Sequence, residues 1–109
     1  MDFINIYKLK KRIKIMANKA KASHILVKSE EQAKEILKRI NAGESFEKLA
    51  TEYSLCPSKK RGGSLGEFGR GMMVKEFEQA VFNAKKGEIV GPVKTQFGWH
   101  IIKVDDLFG

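Results

Sequence analysis

The sequence EIVGPVKTQFGWHIIKV, residues 88–104, contains two β-strand patterns separated by a short connection. Two segments are rich in β-branched and aromatic side chains and are therefore predicted to be strands: residues 88–93 and about 97–104. Strands joined by only residues 94–96 pair antiparallel, because a parallel pair needs a much longer crossover. Pro92 cannot donate a hydrogen bond to a neighbouring strand, which predicts that the first strand ends or lies at a sheet edge.

The upstream sequence predicts one strand followed by two amphipathic helices. Residues 22–27 are short and partly β-branched, as in a strand. Ser29 and Ser45 are N-cap residue types, and each precedes apolar residues at helical spacing. Gly43 is expected to end the first of these helices.

The middle of the chain predicts turns, a short strand and a third helix. Residues 62–71 hold five of the ten glycines but lack the Gly-Lys-Ser/Thr ending of a phosphate-binding loop. We interpret them as tight turns around a strand at residues 65–68. The third helix is expected to end at Gly87 and to carry on one face Met73, Phe77, Ala80, Val81 and Ala84. The order of elements predicts an α+β domain with a four-stranded, mainly antiparallel sheet flanked by helices.

Charge divides the chain into a basic extension, residues 1–16, and a domain, residues 17–109. The extension holds five Lys or Arg residues against one Asp, a net +4, and the whole chain carries +8. We expect the extension to be flexible. Two other interpretations stay open: a membrane-surface or nucleic-acid contact through these residues, and a working protein that starts at Met16.

Length and composition favour a single globular domain. The chain has 109 residues, of which 42% are hydrophobic, and no run of about 18 apolar residues that would predict a membrane-spanning helix. Its one cysteine, Cys56, cannot form an internal disulfide, which favours a reducing compartment. We therefore expect a cytoplasmic monomer.

Two histidines and one cysteine are the first candidates for chemistry. His24 and His100 lie inside predicted strands, and alternation in the last strand places Phe97 on the opposite face from His100. A buried imidazole needs a hydrogen-bond partner, so the simplest interpretation is a pair of structural histidines. Nucleophilic Cys–His catalysis and a His/His/Cys metal site stay open, although no thiol-hydrolase signature or close ligand spacing surrounds Cys56.

An apolar cluster follows the glycine-rich segment and includes Phe68, Met72, Met73 and Phe77. Large flexible apolar residues beside glycines often line an adaptable binding pocket. The same residues are also compatible with ordinary core packing, and the spacing alone does not separate the two interpretations.

Five separate segments carry a family pattern: SHILVK at 23–28, Phe-x-x-Leu-Ala-x-x-Tyr-Ser at 46–54, GGSLGEF at 62–68, GMMVKEF at 71–77 and the closing strands at 91–102. In order and spacing they resemble the parvulins, a class of peptidyl-prolyl cis/trans isomerases. The resemblance covers nearly everything except the extension. It implies a parvulin-like (FKBP-like) fold, with a short helix added between the second helix and the second strand.

The resemblance also implies roles for eight residues. His24 and His100 would be paired, hydrogen-bonded histidines beneath the site, and Thr95 would join their network. Cys56 would face the amide that rotates, so these four residues are the candidate catalytic residues. The side chains that would hold the substrate proline ring are Leu65, Phe68, Met73 and Phe77.

The implied activity is cis/trans isomerisation of X-Pro bonds in proline-containing peptides and unfolded polypeptides, without metal, cofactor or covalent step. Residues 28–31 are short and acidic where phosphate-directed relatives have a longer basic loop, so no phosphopeptide specificity is expected. Glu76 departs from the family, which often has proline there, and this leaves the start of the third helix in question. Two alternatives stay open: a non-catalytic module that binds proline segments, and a nucleic-acid-associated protein that uses the basic extension.

Overall fold

The computed structural model describes residues 17–109. The basic extension predicted at residues 1–16 lies outside the described residues. The boundary between this extension and the domain therefore stays a prediction.

Four antiparallel strands form one sheet. They are β1 (Lys19–Val27), β2 (Ser64–Gly69), β3 (Ile89–Thr95) and β4 (Gly98–Phe108), in the spatial order β2-β1-β4-β3. The predicted strand with Pro92 is an edge strand, and its pairing with β4 is irregular between Val90 and Val93, where Pro92 lies. The antiparallel α+β architecture predicted from the sequence is confirmed.

Helices fill the connections between β1 and β3. They are α1 (Glu30–Asn41), α2 (Phe46–Tyr53), a 3₁₀ helix (Pro57–Arg61) and α3 (Lys75–Phe82). The short helix implied by the resemblance is thus a 3₁₀ helix. Within residues 17–109, no helix is both long enough and apolar enough to cross a bilayer.

The two predicted N-caps hold the starts of α1 and α2. The Ser29 hydroxyl accepts a hydrogen bond from the Gln32 backbone N–H at 3.2 Å, and the Ser45 hydroxyl accepts one from the Lys48 N–H at 3.2 Å. Each bond satisfies a donor that has no partner within its helix. These caps fix where the two helices begin after β1.

The sheet separates two apolar clusters, because successive side chains of a strand point to opposite faces. On one face α3 packs over a cluster of Ala20, Ala22, Phe68, Phe77, Val81, Phe82, Ile102 and Val104. On the other face α1 and α2 cover a cluster of Ile25, Val27, Ala33, Ile36, Phe46, Leu49, Ala50 and Ile101. The helices therefore flank the sheet, as predicted, and the structure shows them on both of its faces.

Three boundary predictions are wrong. The third helix begins at Lys75, so Met73 lies in the turn before it, because Val74 at its N-cap is extended (φ −59°, ψ 149°). The same helix ends at Phe82, so Ala84 lies beyond it. Phe97 is in the turn between β3 and β4 and not in the last strand, so strand alternation does not determine where its side chain points.

Candidate active site

The two histidines meet because of strand register. His24 on β1 pairs with Ile102 on β4, and His100 on β4 pairs with Leu26 on β1. The histidines are therefore diagonal neighbours on one face of two adjacent strands, which is within reach for long side chains. Their face is the one that α3 covers, and both imidazoles are buried.

A hydrogen-bonded chain joins the two rings to Thr95. His24 Nδ1 and His100 Nδ1 are 2.9 Å apart, and His100 Nε2 is 2.7 Å from Thr95 Oγ1. Burial lowers the pKa of His100 from 6.5 to about 4. Burial, followed by the neighbouring His100, lowers the pKa of His24 to about 4 as well. Both rings are therefore neutral near pH 7, and one Nδ1 donates to the other.

Two glycines allow the chain to approach each histidine closely. Gly63 (φ +93°) accepts a hydrogen bond from the His24 N–H at 2.9 Å, and a Cβ on Gly63 would lie 2.6 Å from the His24 carbonyl oxygen. A Cβ on Gly91 (φ +147°) would lie 2.8 Å from the His100 carbonyl oxygen. Side chains at these positions would push the backbone away from the histidine pair.

An apolar cleft of about 440 Å³ opens on this face of the domain. The imidazoles and the Cys56 thiol are its polar side chains, and within residues 17–109 its lining includes no Asp, Glu, Lys or Arg. The cleft therefore offers mainly apolar surface to a ligand. The lining residues are His24, Leu26, Leu55, Cys56, Pro57, Leu65, Met72, Met73, Val74, Phe77, Phe97 and His100.

The cleft brings together most of the predicted site. Three of the four predicted proline-binding residues, Leu65, Met73 and Phe77, line it with Cys56. Phe68 is the exception: it is 3% exposed, and its ring packs behind Phe77 at a centroid distance of 6.1 Å. The structure therefore does not place Phe68 in the cleft with the other three residues, and its contact with the proline ring stays a prediction.

Sequence reasoning missed the contribution of Ser54. Its buried hydroxyl accepts hydrogen bonds from the Leu26 N–H at 3.0 Å and the Cys56 N–H at 3.3 Å. Leu55 N–H also donates to the Leu26 carbonyl at 2.8 Å. These bonds tie the loop that carries Cys56 to β1. Ser54 ends the family pattern at 46–54, but that pattern does not indicate this contact, because it depends on a strand 28 residues away.

Two other grooves are poorer candidates. A larger one, of about 1060 Å³, lies beside α1 and α2, and three of its charged side chains form ion pairs: Arg39 with Glu44 at 2.8 Å, and Glu47 with Lys103 at 3.1 Å. A third, of about 480 Å³, lies between α3 and β3 and is lined by Glu76, Glu88 and Lys94 among others. Neither contains the histidines or Cys56.

The described part of the chain contains no set of ligands for the metal site that the sequence left open. Within residues 17–109, no three His, Cys, Asp or Glu side chains lie together in a way that could hold an ion. Burial lowers the pKa of both histidines, and the neighbouring His100 lowers that of His24 further. The arrangement instead suits a group that binds through apolar contact.

The antiparallel α+β fold and the apolar cleft lined by two buried histidines are those of a peptidyl-prolyl isomerase domain. The profile of the PPIC-type PPIase domain matches residues 4–107. The chain belongs to this family, the parvulins, as its sequence pattern predicted.

Individual relatives support this family assignment. The foldase protein PrsA of Geobacillus kaustophilus is 57% identical over 89 residues, which are 81% of this chain and 32% of that protein. The crystal structure of PrsA from Bacillus anthracis superposes with a TM-score of 0.83 at 44% identity, over 92% of this chain and 46% of that one. The solution structure of NmPin, the parvulin of Nitrosopumilus maritimus, gives 0.72 at 48% identity, over 85% of this chain and 98% of that one. The chain thus spans about a third of the length of the curated foldases it matches.

Proposed function

We propose that this chain catalyses cis/trans rotation of X-Pro bonds in unphosphorylated, unfolded polypeptides by a non-covalent mechanism. The observation that carries the proposal is the cleft of about 440 Å³, whose lining contains apolar side chains, two neutral histidines and a thiol. Membership of the parvulin family supports the reaction class. The absence of charged side chains from the lining, among the residues described, supports substrates without phosphate.

The physical basis is the charge separation of the planar amide. Resonance gives the amide its barrier of about 18–20 kcal/mol, and rotation breaks this resonance. The planar ground state is more charge-separated than the twisted transition state. An apolar surrounding therefore disfavours the planar amide more than the twisted one. Leu65, Met73 and Phe77 supply this surrounding and hold the proline ring while the preceding carbonyl swings.

The histidine pair has a structural part in this mechanism. Both rings are neutral at physiological pH, because burial lowers the pKa of each to about 4. Each ring also supports Phe77 edge-on, at centroid distances of 5.6 Å for His24 and 5.5 Å for His100. The pair thus holds Phe77 in position beneath the cleft and transfers no proton during rotation.

Exchange spectroscopy on a short Ala-Pro peptide tests the activity directly. Uncatalysed exchange takes about 10–100 s, and we expect micromolar protein to accelerate it by at least about tenfold. A matched pair of Ser-Pro and phosphoserine-Pro peptides serves as a control, and the phosphorylated peptide should be the poorer substrate. Unchanged exchange at high protein concentration would contradict catalysis and favour the non-catalytic binding module.

Replacing Cys56 by serine should leave most of the activity. The proposed mechanism forms no bond to the thiol, and serine keeps a small group that can donate a hydrogen bond, so kcat/KM should stay within about threefold. A Cys56→Ala variant measured beside it reports the contribution of that hydrogen bond. If Cys56→Ser lost more than about a hundredfold while remaining folded, the thiol would act as a nucleophile and the non-covalent mechanism would be wrong.

A monomeric, cytoplasmic state is also part of the proposal. The cytoplasmic location is supported by Cys56, the chain's one cysteine, which is a free thiol. Light scattering on the purified chain tests the oligomeric state, and fractionation of the source cells tests the location. A disulfide-linked dimer or recovery outside the cytoplasm would contradict this part alone.

A further inference from the structure

The turn between β2 and α3 carries two of the side chains that line the cleft. We call residues 69–74 the methionine turn, because both Met72 and Met73 line the cleft from it. Met73 is also half-buried against the apolar cluster that α3 covers. The conformation of this turn therefore decides whether the methionines are in place before a substrate binds.

The local sequence does not fix the methionine turn by itself. The main-chain hydrogen bond that closes it, from the Met72 N–H to the Gly69 carbonyl, is long at 3.4 Å. Gly71 has a φ of +86°, and a Cβ at this position would meet nothing within 4 Å. Glycine reaches both positive and negative φ at little energetic cost, so other conformations of the turn are accessible.

The orientation of one peptide unit distinguishes these conformations. The φ of Gly71 is that of the third residue of a type II β-turn. Type I and type II turns differ by a flip of the peptide unit between their second and third residues, here Arg70 and Gly71. Because glycine permits both forms, the partner that binds the Gly71 N–H selects between them.

Glu78 on α3 is the partner of the Gly71 N–H. Its Oε1 accepts a hydrogen bond from this group at 2.5 Å, and a bond to a carboxylate is stronger than one between neutral groups. The Glu78 N–H donates to the Val74 carbonyl at 3.0 Å in the first turn of α3. Glu78 therefore joins the start of the helix to the middle of the methionine turn.

A neighbouring contact holds the turn without fixing this peptide unit. Arg70 Nε donates to the Ala17 carbonyl at 3.0 Å, and the Arg70 guanidinium lies 4.2 Å from the centroid of the Phe82 ring. These contacts fix a side chain, whereas the bond to Glu78 fixes the direction of the Gly71 N–H itself. The two contacts with α3 therefore have different effects on the turn.

We propose that Glu78 is a positioning residue for isomerisation, which keeps the methionine turn in the form that places Met73 against the proline ring. This inference rests on the proposed function and adds a residue that lies outside the cleft lining. Without the bond to Gly71, the turn populates several forms and the substrate binds only the competent one. The apparent Kd then rises by the reciprocal of the competent fraction. Because the turn is ordered during binding, KM rises and kcat stays nearly constant.

Substitutions at Glu78 and Glu76 test the inference. Both carboxylates lie in the first turn of α3 and interact favourably with its dipole, but Glu76 lies in the groove beside β3. Exchange spectroscopy over a series of Ala-Pro peptide concentrations should show KM raised about 5- to 20-fold in Glu78→Ala, with kcat within about twofold. Glu76→Ala should keep both values within about twofold. Glu78→Gln retains an acceptor oxygen and should return KM to within about threefold of the unmodified chain.

NMR spectra give a second readout that follows the turn itself. In Glu78→Ala the methyl resonances of Met72 and Met73 should shift or broaden, and hydrogen exchange of the Gly71 amide should accelerate at least about tenfold. In Glu76→Ala both signals should match the unmodified chain. Circular dichroism establishes that the variants are folded. If Glu78→Ala does not fold, Glu78→Asp, whose carboxylate is one methylene shorter, should give the same rise in KM.

The outcomes separate this inference from the proposed function. Equal KM values in Glu78→Ala and Glu76→Ala, or a loss that falls on kcat alone, would overturn the positioning role and leave the isomerase intact. A Glu78→Gln variant as impaired as Glu78→Ala, or methionine resonances that do not change, would overturn it as well. No acceleration of exchange by the unmodified chain would overturn the proposed function itself.

Discussion

Replacing Phe77 by alanine is expected to lower kcat/KM by about 30- to 150-fold, because about 2–3 kcal/mol of apolar contact with the substrate is lost. Phe77 lines the cleft and packs edge-on against both His24 and His100. It is also 3% exposed, so its removal leaves a cavity that should lower the free energy of unfolding by about 3–5 kcal/mol. Activity is therefore measured per folded molecule, with the folded fraction determined by circular dichroism under the assay conditions.

Phe82 supplies the matched control. It lies on the same helix, α3, and in the same apolar cluster, and it is equally buried at 3% exposure. Its ring contacts Phe68 at a centroid distance of 6.2 Å, and it does not line the cleft. Phe82→Ala should lose about the same stability as Phe77→Ala but keep kcat/KM within about threefold. Equal losses of activity in both variants would mean that Phe77 acts only through the stability of the core. Phe77→Leu, a milder truncation, keeps the comparison possible if Phe77→Ala fails to fold.

Much of the fold was predictable because it depends on local signals. Strands separated by so short a connection, residues 96 and 97 in the structure, had to be antiparallel, and Ser29 and Ser45 cap the helices that their spacing indicated. The end points of α3 were not predictable from apolar spacing alone. Met73 continues the helical pattern by spacing, but the backbone at Val74 is extended, so the helix begins only at Lys75. Periodicity reports which face a residue prefers and does not report where the hydrogen-bonded helix stops.

The candidate site was predictable only where a family pattern preserved it. Neither strand alone indicates that His24 and His100 meet, because their contact depends on the register between β1 and β4. Phe97 was assigned to the wrong element, since a turn of two residues frees it from strand alternation and lets it line the cleft beside His100. Phe68 and Phe77 have equal burial, and only the packing of α3 on the sheet decides which of them reaches the cleft.

Acidification from about pH 7 to about pH 5 should lower the free energy of unfolding by about 2–4 kcal/mol, equivalent to a fall in Tm of more than about 10 °C. The cause is the buried pair His24 and His100, whose pKa values are lowered from 6.5 to about 4 in the folded protein. They are the two histidines of the chain, so this titration belongs to them. Thermal and urea unfolding followed by circular dichroism at a series of pH values measures the effect.

The sign follows from which state binds the protons. Between the folded pKa of about 4 and the unfolded value of 6.5, the unfolded chain is protonated and the folded chain is not. Stability is therefore complete above about pH 6.5 and declines, by up to about 1.4 kcal/mol per pH unit for each histidine, as the pH falls towards 4. Some carboxylates, such as Glu44 beside Arg39, also have a lowered pKa in the folded protein. They reduce the free energy of unfolding only when the pH falls below about their ordinary pKa of 4.5.

The variant Glu44→Gln separates the contribution of the histidine pair to the pH dependence of stability from that of the Glu44 carboxylate. It removes the carboxylate that Arg39 binds and leaves both histidines in place, so the decline between about pH 7 and pH 5 should persist in it. A free energy of unfolding that stays constant over this interval would mean that at least one imidazole is protonated in the folded protein. A protonated imidazole beneath the cleft would stabilise the charge-separated planar amide. The proposed role of the apolar surroundings in rotation and the structural role of the histidine pair would then both be wrong.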